Sequence, residues 1–306
     1  MNKKLTLILS LLVVIAFIVF MIFDFVRPEN KSVSEVKKSN LPVPEDMWKV
    51  SNELKITEGR LKAVTVSPSG NIYLGGDSFM TCYDKDMKIV WNLKTPSPVT
   101  SLSCSGDTIF ASTMEQVLIV SKDGQIKSEW GPFEDSCIFT SISSNRTYVA
   151  LADAGNKMLL VLDKGGEVKK LIGQNDGQFI IPSAYFEVVL NDNNTIFVAN
   201  TGHRRVETRG INGEVKSYFG EPGLSPEAFC GCCNPAHFIV IPGGFVTAEK
   251  GINRIKILNE KGEFVEFVSS KNNFVASIPL DLASADGKTI YAANPADSKL
   301  YIFNRK

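Results

Sequence analysis

Histidine is nearly absent: His203 and His237 are the only two in 306 residues. A metal centre built from three or more imidazoles is therefore excluded. Net charge is missing too. The 33 Lys and Arg balance 33 Asp and Glu, and the basic residues are dispersed rather than gathered into a stripe. That removes the electrostatic footprint of a nucleic-acid-binding surface. The chain has no phosphate-cradling Gly-rich loop, no dinucleotide fingerprint and no nucleophile elbow. Without these motifs, a binding protein is the simpler reading than an enzyme.

What is present is a repeat. Residues 195–220 hold three short β-like runs, at 196–199, 205–209 and 214–219, separated by turn residues. Asn212-Gly213 between the last two predicts a two-residue type I′ hairpin, which needs positive φ twice. The marker around the second turn recurs six times, at 80–88, 117–125, 159–167, 205–214, 254–263 and 299–306. Spacings of roughly 35–50 residues are those of propeller blades of four strands each. After each of the first five markers comes a run with a large apolar residue: Trp91, Trp130, Leu171, Phe219 and Phe267. The sixth lacks that run. Upstream of blade one, residues 47–56 form a β-plausible segment with no repeat of its own. It is expected to supply the missing strand, since propeller rings close without exposed edges. Blades are expected to begin near Ala63, Val99, Cys137, Tyr185, His237 and Ile278. The fold class is all-β, a six-bladed β-propeller.

The segments ANTGHRRVETRGINGEV, AEKGINRIKILNEKGEFV and LADAGNKMLLVLDKGGEV resemble NHL repeats. The resemblance covers residues 63–306 and is clearest in blades three to five. Blades one and two depart from it, with Gly75-Gly76-Asp77 and Met114-Glu115-Gln116 in place of the usual turn. NHL propellers serve as binding surfaces, as sensor domains and, less often, as enzymes, so the resemblance implies a fold more than a function. It also implies a turn role for His203, where NHL turns commonly carry His or Asn. The amidating lyase of this family uses a zinc held by several channel histidines, a set that two histidines cannot build.

Before the propeller, residues 5–23 are an uninterrupted apolar run, about enough to cross a hydrocarbon core of roughly 30 Å. No small-x-small cleavage site follows it. Residues 1–26 therefore read as a cytoplasmic stub and an uncleaved transmembrane signal anchor, and 27–46 as a polar linker with Pro28, Pro42 and Pro44. Lys3 and Lys4 precede the run, which puts the N-terminus in the cytoplasm. The propeller, 47–306, is then expected on the extracytoplasmic (periplasmic) side of a single-pass cell-membrane protein. Its partners are expected to be the membrane, through the N-terminal helix, and a protein or small-molecule ligand on one propeller face.

That face is suggested by the connection from blade four to blade five, residues 221–234, which holds three of the six cysteines as Cys230-Gly-Cys232-Cys233. In a four-stranded blade, the blade-to-blade connections and the turns between second and third strands share one face. The expected binding face is Cys230, Cys232, Cys233, His203, Arg204, His237 and Asn253. Glu187, Asp153, Asp297 and Glu249 are carboxylates able to line it. Three chemistries compete for the cysteines. They form disulfides, with Cys137 a further partner; or they bind zinc or copper through Cys230, Cys232, Cys233 and His237; or Cys230 and Cys233 act as a redox pair outside any βαβ setting. Cys82 and Cys104 sit where other blades carry Val or Leu and read as core.

Overall fold

The computed structural model describes Ile15 and residues 44–174, 177–231, 233–270 and 273–306. The expected anchor falls outside the described residues, apart from Ile15. Among the described residues no helix is long and apolar enough to cross a membrane. Cys232 also lies outside them.

From residue 44 onward the described chain contains no α-helix, only 24 strands and one 3-10 turn at Thr201–His203. The strands form six antiparallel sheets of four. Strand β1 is Trp48–Lys55. Blade one is β2 (Leu61–Val66), β3 (Ile72–Gly76), β4 (Phe79–Tyr83) and β5 (Ile89–Lys94). Blade two is β6 (Ser101–Ser105), β7 (Thr108–Ser112), β8 (Val117–Ser121) and β9 (Ile126–Trp130). Blade three is β10 (Phe139–Ser144), β11 (Tyr148–Asp153), β12 (Met158–Asp163) and β13 (Val168–Ile172). Blade four is β14 (Val188–Leu190), β15 (Ile196–Asn200), β16 (Arg205–Arg209) and β17 (Val215–Phe219). Blade five is β18 (His237–Ile241), β19 (Gly244–Ala248), β20 (Ile255–Asn259) and β21 (Phe264–Ser269). Blade six contains β22 (Asp281–Ala283), β23 (Thr289–Asn294) and β24 (Lys299–Arg305). Its fourth strand is β1, which pairs antiparallel with β24 from Trp48↔Arg305 to Lys55↔Lys299. The architecture is an all-β six-bladed propeller.

Burial explains the strand sequences. Middle strands pack against neighbouring blades on both faces, so β12 reads MLLVLD and is buried from Met158 to Leu162. Outermost strands meet solvent, so β9 reads IKSEW and is mostly exposed. In blades one to four a large residue of the outer strand grips the next blade. A Cβ on Gly124 would stand 2.6 Å from the Trp91 ring, one on Gly166 2.7 Å from Trp130, and one on Gly262 2.4 Å from Phe219. The turn glycines are thus required by the neighbouring blade as well as by their positive φ. In blade three the residue in this role is Ile172, against Gly213. Leu171 turns inward to the cluster around Phe139 and Leu160.

The expected type I′ hairpin at Asn212-Gly213 is corrected. Only Gly213 has positive φ, at 97°. The turn spans five residues, closed by Gly213 N–H to Gly210 O and Gly210 N–H to Glu214 O. A register shift between Thr208 and Arg209 absorbs the extra residue. This is a bulged turn, in which a single left-handed glycine restores the strand twist. The equivalent turns at Gly124, Gly166 and Gly262 close in the same way, and in blade one Met87 takes the left-handed place at φ 62°. The turns before the third strands of blades three to six repeat a second device. Lys157, Arg204, Asn253 and Ser298 stand at equivalent positions, all with φ between 46° and 54°.

Candidate functional site

The first strands of the blades surround the central channel. In blades four, five and six, one rung of that channel carries ionisable residues. His237 pairs with Ala248 across β18–β19, and Asp281 with Ala293 across β22–β23. The backbone carbonyl of Glu187, just before β14, accepts from the N–H of the corresponding Ala199. In blade three the same rung holds Ser141, opposite Ala152. Blades one and two place Ala63 and Leu102 there, opposite Gly75 and Ala111. One half of the ring is therefore small or apolar, and the other half is chemically loaded.

The loaded half is tightly connected. His237 Nδ1 lies 2.8 Å from Glu187 Oε2 and 3.6 Å from Asp281 Oδ1. Ser141 Oγ donates to Glu187 Oε1 at 2.6 Å. The Val64 N–H donates to Asp281 Oδ2 at 2.8 Å. Burial pushes Asp281 up to about 7; the His237 charge opposes this and the Glu187 charge adds to it. Burial disfavours imidazolium at His237, but the hydrogen bond and charge of Glu187, with Asp281 behind, outweigh it and raise its titration. Displaced titration in a cleft is a mark of functional sites. Above the trio opens a cavity of 310 Å³, lined by His237, Tyr185, Arg60, Lys62, Thr140 and Ile278 among others. Below it the channel continues past Glu187 and Asp281 as a narrow space of 160 Å³.

The cysteine loop borders this mouth. Tyr185 packs edge-on to His237 with ring centroids 6.0 Å apart, and Lys250 Nζ sits 4.6 Å over the Tyr185 ring. Lys250 also lines a 330 Å³ cavity with Gly231, Cys233, Asn234 and Ser277. The loop is latched to blade five from beneath. Arg254 binds Glu249 through Nε at 2.5 Å and donates to Ala228 O at 2.5 Å and Leu224 O at 3.1 Å. Lys256 Nζ reaches Ala228 O at 2.7 Å and Glu249 at 3.1 Å. The Cys230 N–H donates to Glu249 at 3.3 Å, and Asn234 Nδ2 donates to Cys230 O at 2.6 Å.

The expected face residues separate into groups. Cys230 and Cys233 are both buried in the loop. The Cys230 thiol is pushed up by burial and by the charge of Glu249. Arg204 joins the loop through Nη1, 3.3 Å from Gly231 O. Asn253 is buried in its left-handed turn, donating to Val275 O at 2.6 Å. His203 is exposed and lines a separate cavity with Gln178, Arg205 and Arg209. His237 turns to the two carboxylates. Among the described residues, the ligand atoms of Cys230, Cys233 and His237 do not gather within 4.8 Å, whereas those of Glu187, His237 and Asp281 do. Cys82, Cys104, Cys137 and Cys230 are free thiols. Cys137 is pushed up to about 12 by burial and by Asp153. Of the four expected carboxylates only Glu187 enters the channel. Asp153 accepts the N–H groups of Ile138, Gly155 and Asn156, Asp297 accepts the Tyr301 hydroxyl, and Glu249 belongs to the latch. Asp281 was not foreseen. Its signal lay in the repeat, because Glu187, His237 and Asp281 each precede the alanine of a second strand by eleven or twelve residues.

No protein-family model matches the chain, and no curated protein matches it. Among solved structures it resembles one described as a streptogramin B lyase, with a TM-score of 0.57 and 13% identity, covering 85% of this chain and 98% of that one. At that identity the likeness shows the six-bladed fold alone.

Proposed function

We propose that this chain is a membrane-anchored, extracytoplasmic propeller of NHL type that binds a protein or small-molecule ligand on the face bearing the cysteine loop and the channel mouth. The observation that supports it most is that two cavities adjoin, one lined by Tyr185 and His237 and the other by Lys250, Gly231, Cys233 and Asn234, with Lys250 Nζ over the Tyr185 ring between them. A cavity of 310 Å³ is within the size range of small-ligand sites, and its mix of an aromatic ring with a few polar groups is their usual lining. The apolar run at 5–23 and the lysines before it support the anchor and its orientation. The lyase activity named for the structural neighbour does not transfer on fold alone. A thiol-redox role for Cys230 is disfavoured, because burial and Glu249 hold it as a thiol, and the thiolate is the reactive form.

Site-specific photo-crosslinking in cells tests the face. A photoreactive residue in place of Tyr185 or Lys250 is expected to give a discrete adduct, and one in place of Asp192, in the turn at the opposite end of blade four, is not. Equal adducts from both ends, or none from Tyr185 and Lys250, refute the assignment. A reporter active only outside the cytoplasm, fused after Lys306, tests the orientation, and an inactive fusion refutes it.

A further inference from the structure

Glu187, His237 and Asp281 carry more than a general binding face. Their ligand atoms all lie within 4.8 Å of one another. The distances from His237 Nδ1, 2.8 Å to Glu187 Oε2 and 3.6 Å to Asp281 Oδ1, bracket the separation of about 3–3.4 Å between neighbouring ligands on an ion with bonds of about 2.1 Å. Each residue stands at the start of a channel strand in a different blade, so the scaffold fixes the spacing. Outer partners hold the carboxylates in place. Ser141 occupies Glu187 Oε1, and the N–H groups of Val64 and Leu282 donate to Asp281 Oδ2 and Oδ1; this fixes Oε2 and Oδ1 where they converge on the imidazole, with a second lone pair still open on Oδ1.

The charge balance points the same way. Two carboxylates share a half-buried pocket with one imidazole. The basic residues lining the cavity above are engaged elsewhere: Lys62 with Asp77 at 2.6 Å, and Arg60 with Pro295 O at 3.1 Å. Carboxylates withdrawn from water need a cation or a proton. We infer that Glu187, His237 and Asp281 form a three-ligand divalent-cation site at the channel mouth. Imidazole with carboxylate oxygens suits zinc, manganese or ferrous iron, and three protein ligands leave coordination positions open. The trio sits between two spaces: His237 lines the 310 Å³ cavity, and Glu187 and Asp281 line the 160 Å³ channel space. The inference shares its location with the proposed binding face but does not depend on any organic or protein ligand.

Manganese is the probe, because it favours oxygen and imidazole donors over thiolate. The full-length chain, stripped with a chelator, is titrated with MnCl₂ by calorimetry, alongside E187Q, H237Q, D281N, C230S and C233S, with melting curves to confirm folding. Wild type, C230S and C233S are expected to bind one equivalent. Folded E187Q, H237Q and D281N are each expected to lose at least tenfold in affinity. Absence of stoichiometric manganese binding by wild type overturns the inference. So does retention of binding by the three channel variants, or its loss in the cysteine variants alone. Cation loss with the Tyr185 adduct intact in D281N confirms the metal site and leaves the binding face standing. An absent adduct with manganese still bound refutes the binding face alone.

Discussion

Two clusters of buried charge lie close together on this propeller, and they differ in how they are balanced. Beneath the cysteine loop, Glu249 is matched by Arg254 and Lys256, and the spare donors of those cations end on loop carbonyls. At the channel mouth, Glu187 and Asp281 share one imidazole and line the narrow channel space. The first cluster is saturated by the chain itself, which makes it a fastener. The second is left with an unmet demand, which makes it a site. Unusual composition alone did not distinguish them: the cysteines drew attention to the loop, whereas the chemistry lies one strand away.

The largest effect should come from breaking the fastener. Arg254→Ala leaves Glu249 buried with Lys256 as its remaining cation and frees the Leu224 carbonyl, while Ala228 O keeps Lys256, a loss of about 3–5 kcal/mol. Denaturant unfolding should show it, and the Cys230 thiol should become open to alkylation in the folded protein. A cost below about 1 kcal/mol would mean the loop is held by something else. A scaffold change far from either cluster should fall next. Gly262→Ala puts a Cβ 2.4 Å from the Phe219 ring at φ 82°, and overpacking with backbone strain predicts a loss of about 1–3 kcal/mol. Manganese affinity should be unchanged.

Saturated clusters should also differ from the site in their response to acid. In blade four Glu207 is buried, which by itself raises its pKa, but bonds from Asn200, Arg205 and Arg209 more than offset this and lower it. A carboxylate depressed in the folded state contributes stability that is present above its unfolded pKa of about 4.3 and is lost as pH falls through the folded value. Wild type should therefore lose stability on acidification below that range. Glu207→Gln should start lower and show a flatter acid limb, read from melting temperature against pH. The smallest stability effect belongs to the channel. Exchanging both partners, Glu187→Gln with His237→Gln, keeps polar groups that can bond to each other and to Ser141, so unfolding should shift by no more than about 1 kcal/mol. If that double variant proves as costly as Arg254→Ala, the trio is structural and the contrast fails.

The blades were legible because their signals are local. A turn residue, usually glycine, an alternating strand and a large apolar residue lie within about a dozen residues of each other in the first five copies. The hairpin type was misread at Asn212-Gly213 because the register shift at Arg209 arises from pairing, and the dipeptide alone carries no trace of it. Which of Leu171 and Ile172 meets the next blade is not legible for a similar reason: both are large and apolar, and only the twist of β13 decides. The site was harder still. His237 and Glu187 were visible as single residues, but their partnership spans 50 positions and rests on the curvature of the ring. Asp281 has no local motif around it, and only the alignment of its rung with theirs marks it.

The seam between β1 and β24 gives the ring an order of assembly. Trp48 is among the first propeller residues to leave the ribosome, and its partner Arg305 is among the last. Throughout synthesis β1 has no neighbour on the side that β24 will occupy, and the hydrogen bonds from Trp48 to Lys55 form only once every blade between them has emerged. Five blades can be completed during translation, while the sixth waits for both ends of the domain to meet. A cell making this protein therefore carries, on every unfinished chain, an open strand edge that the completed ring no longer has.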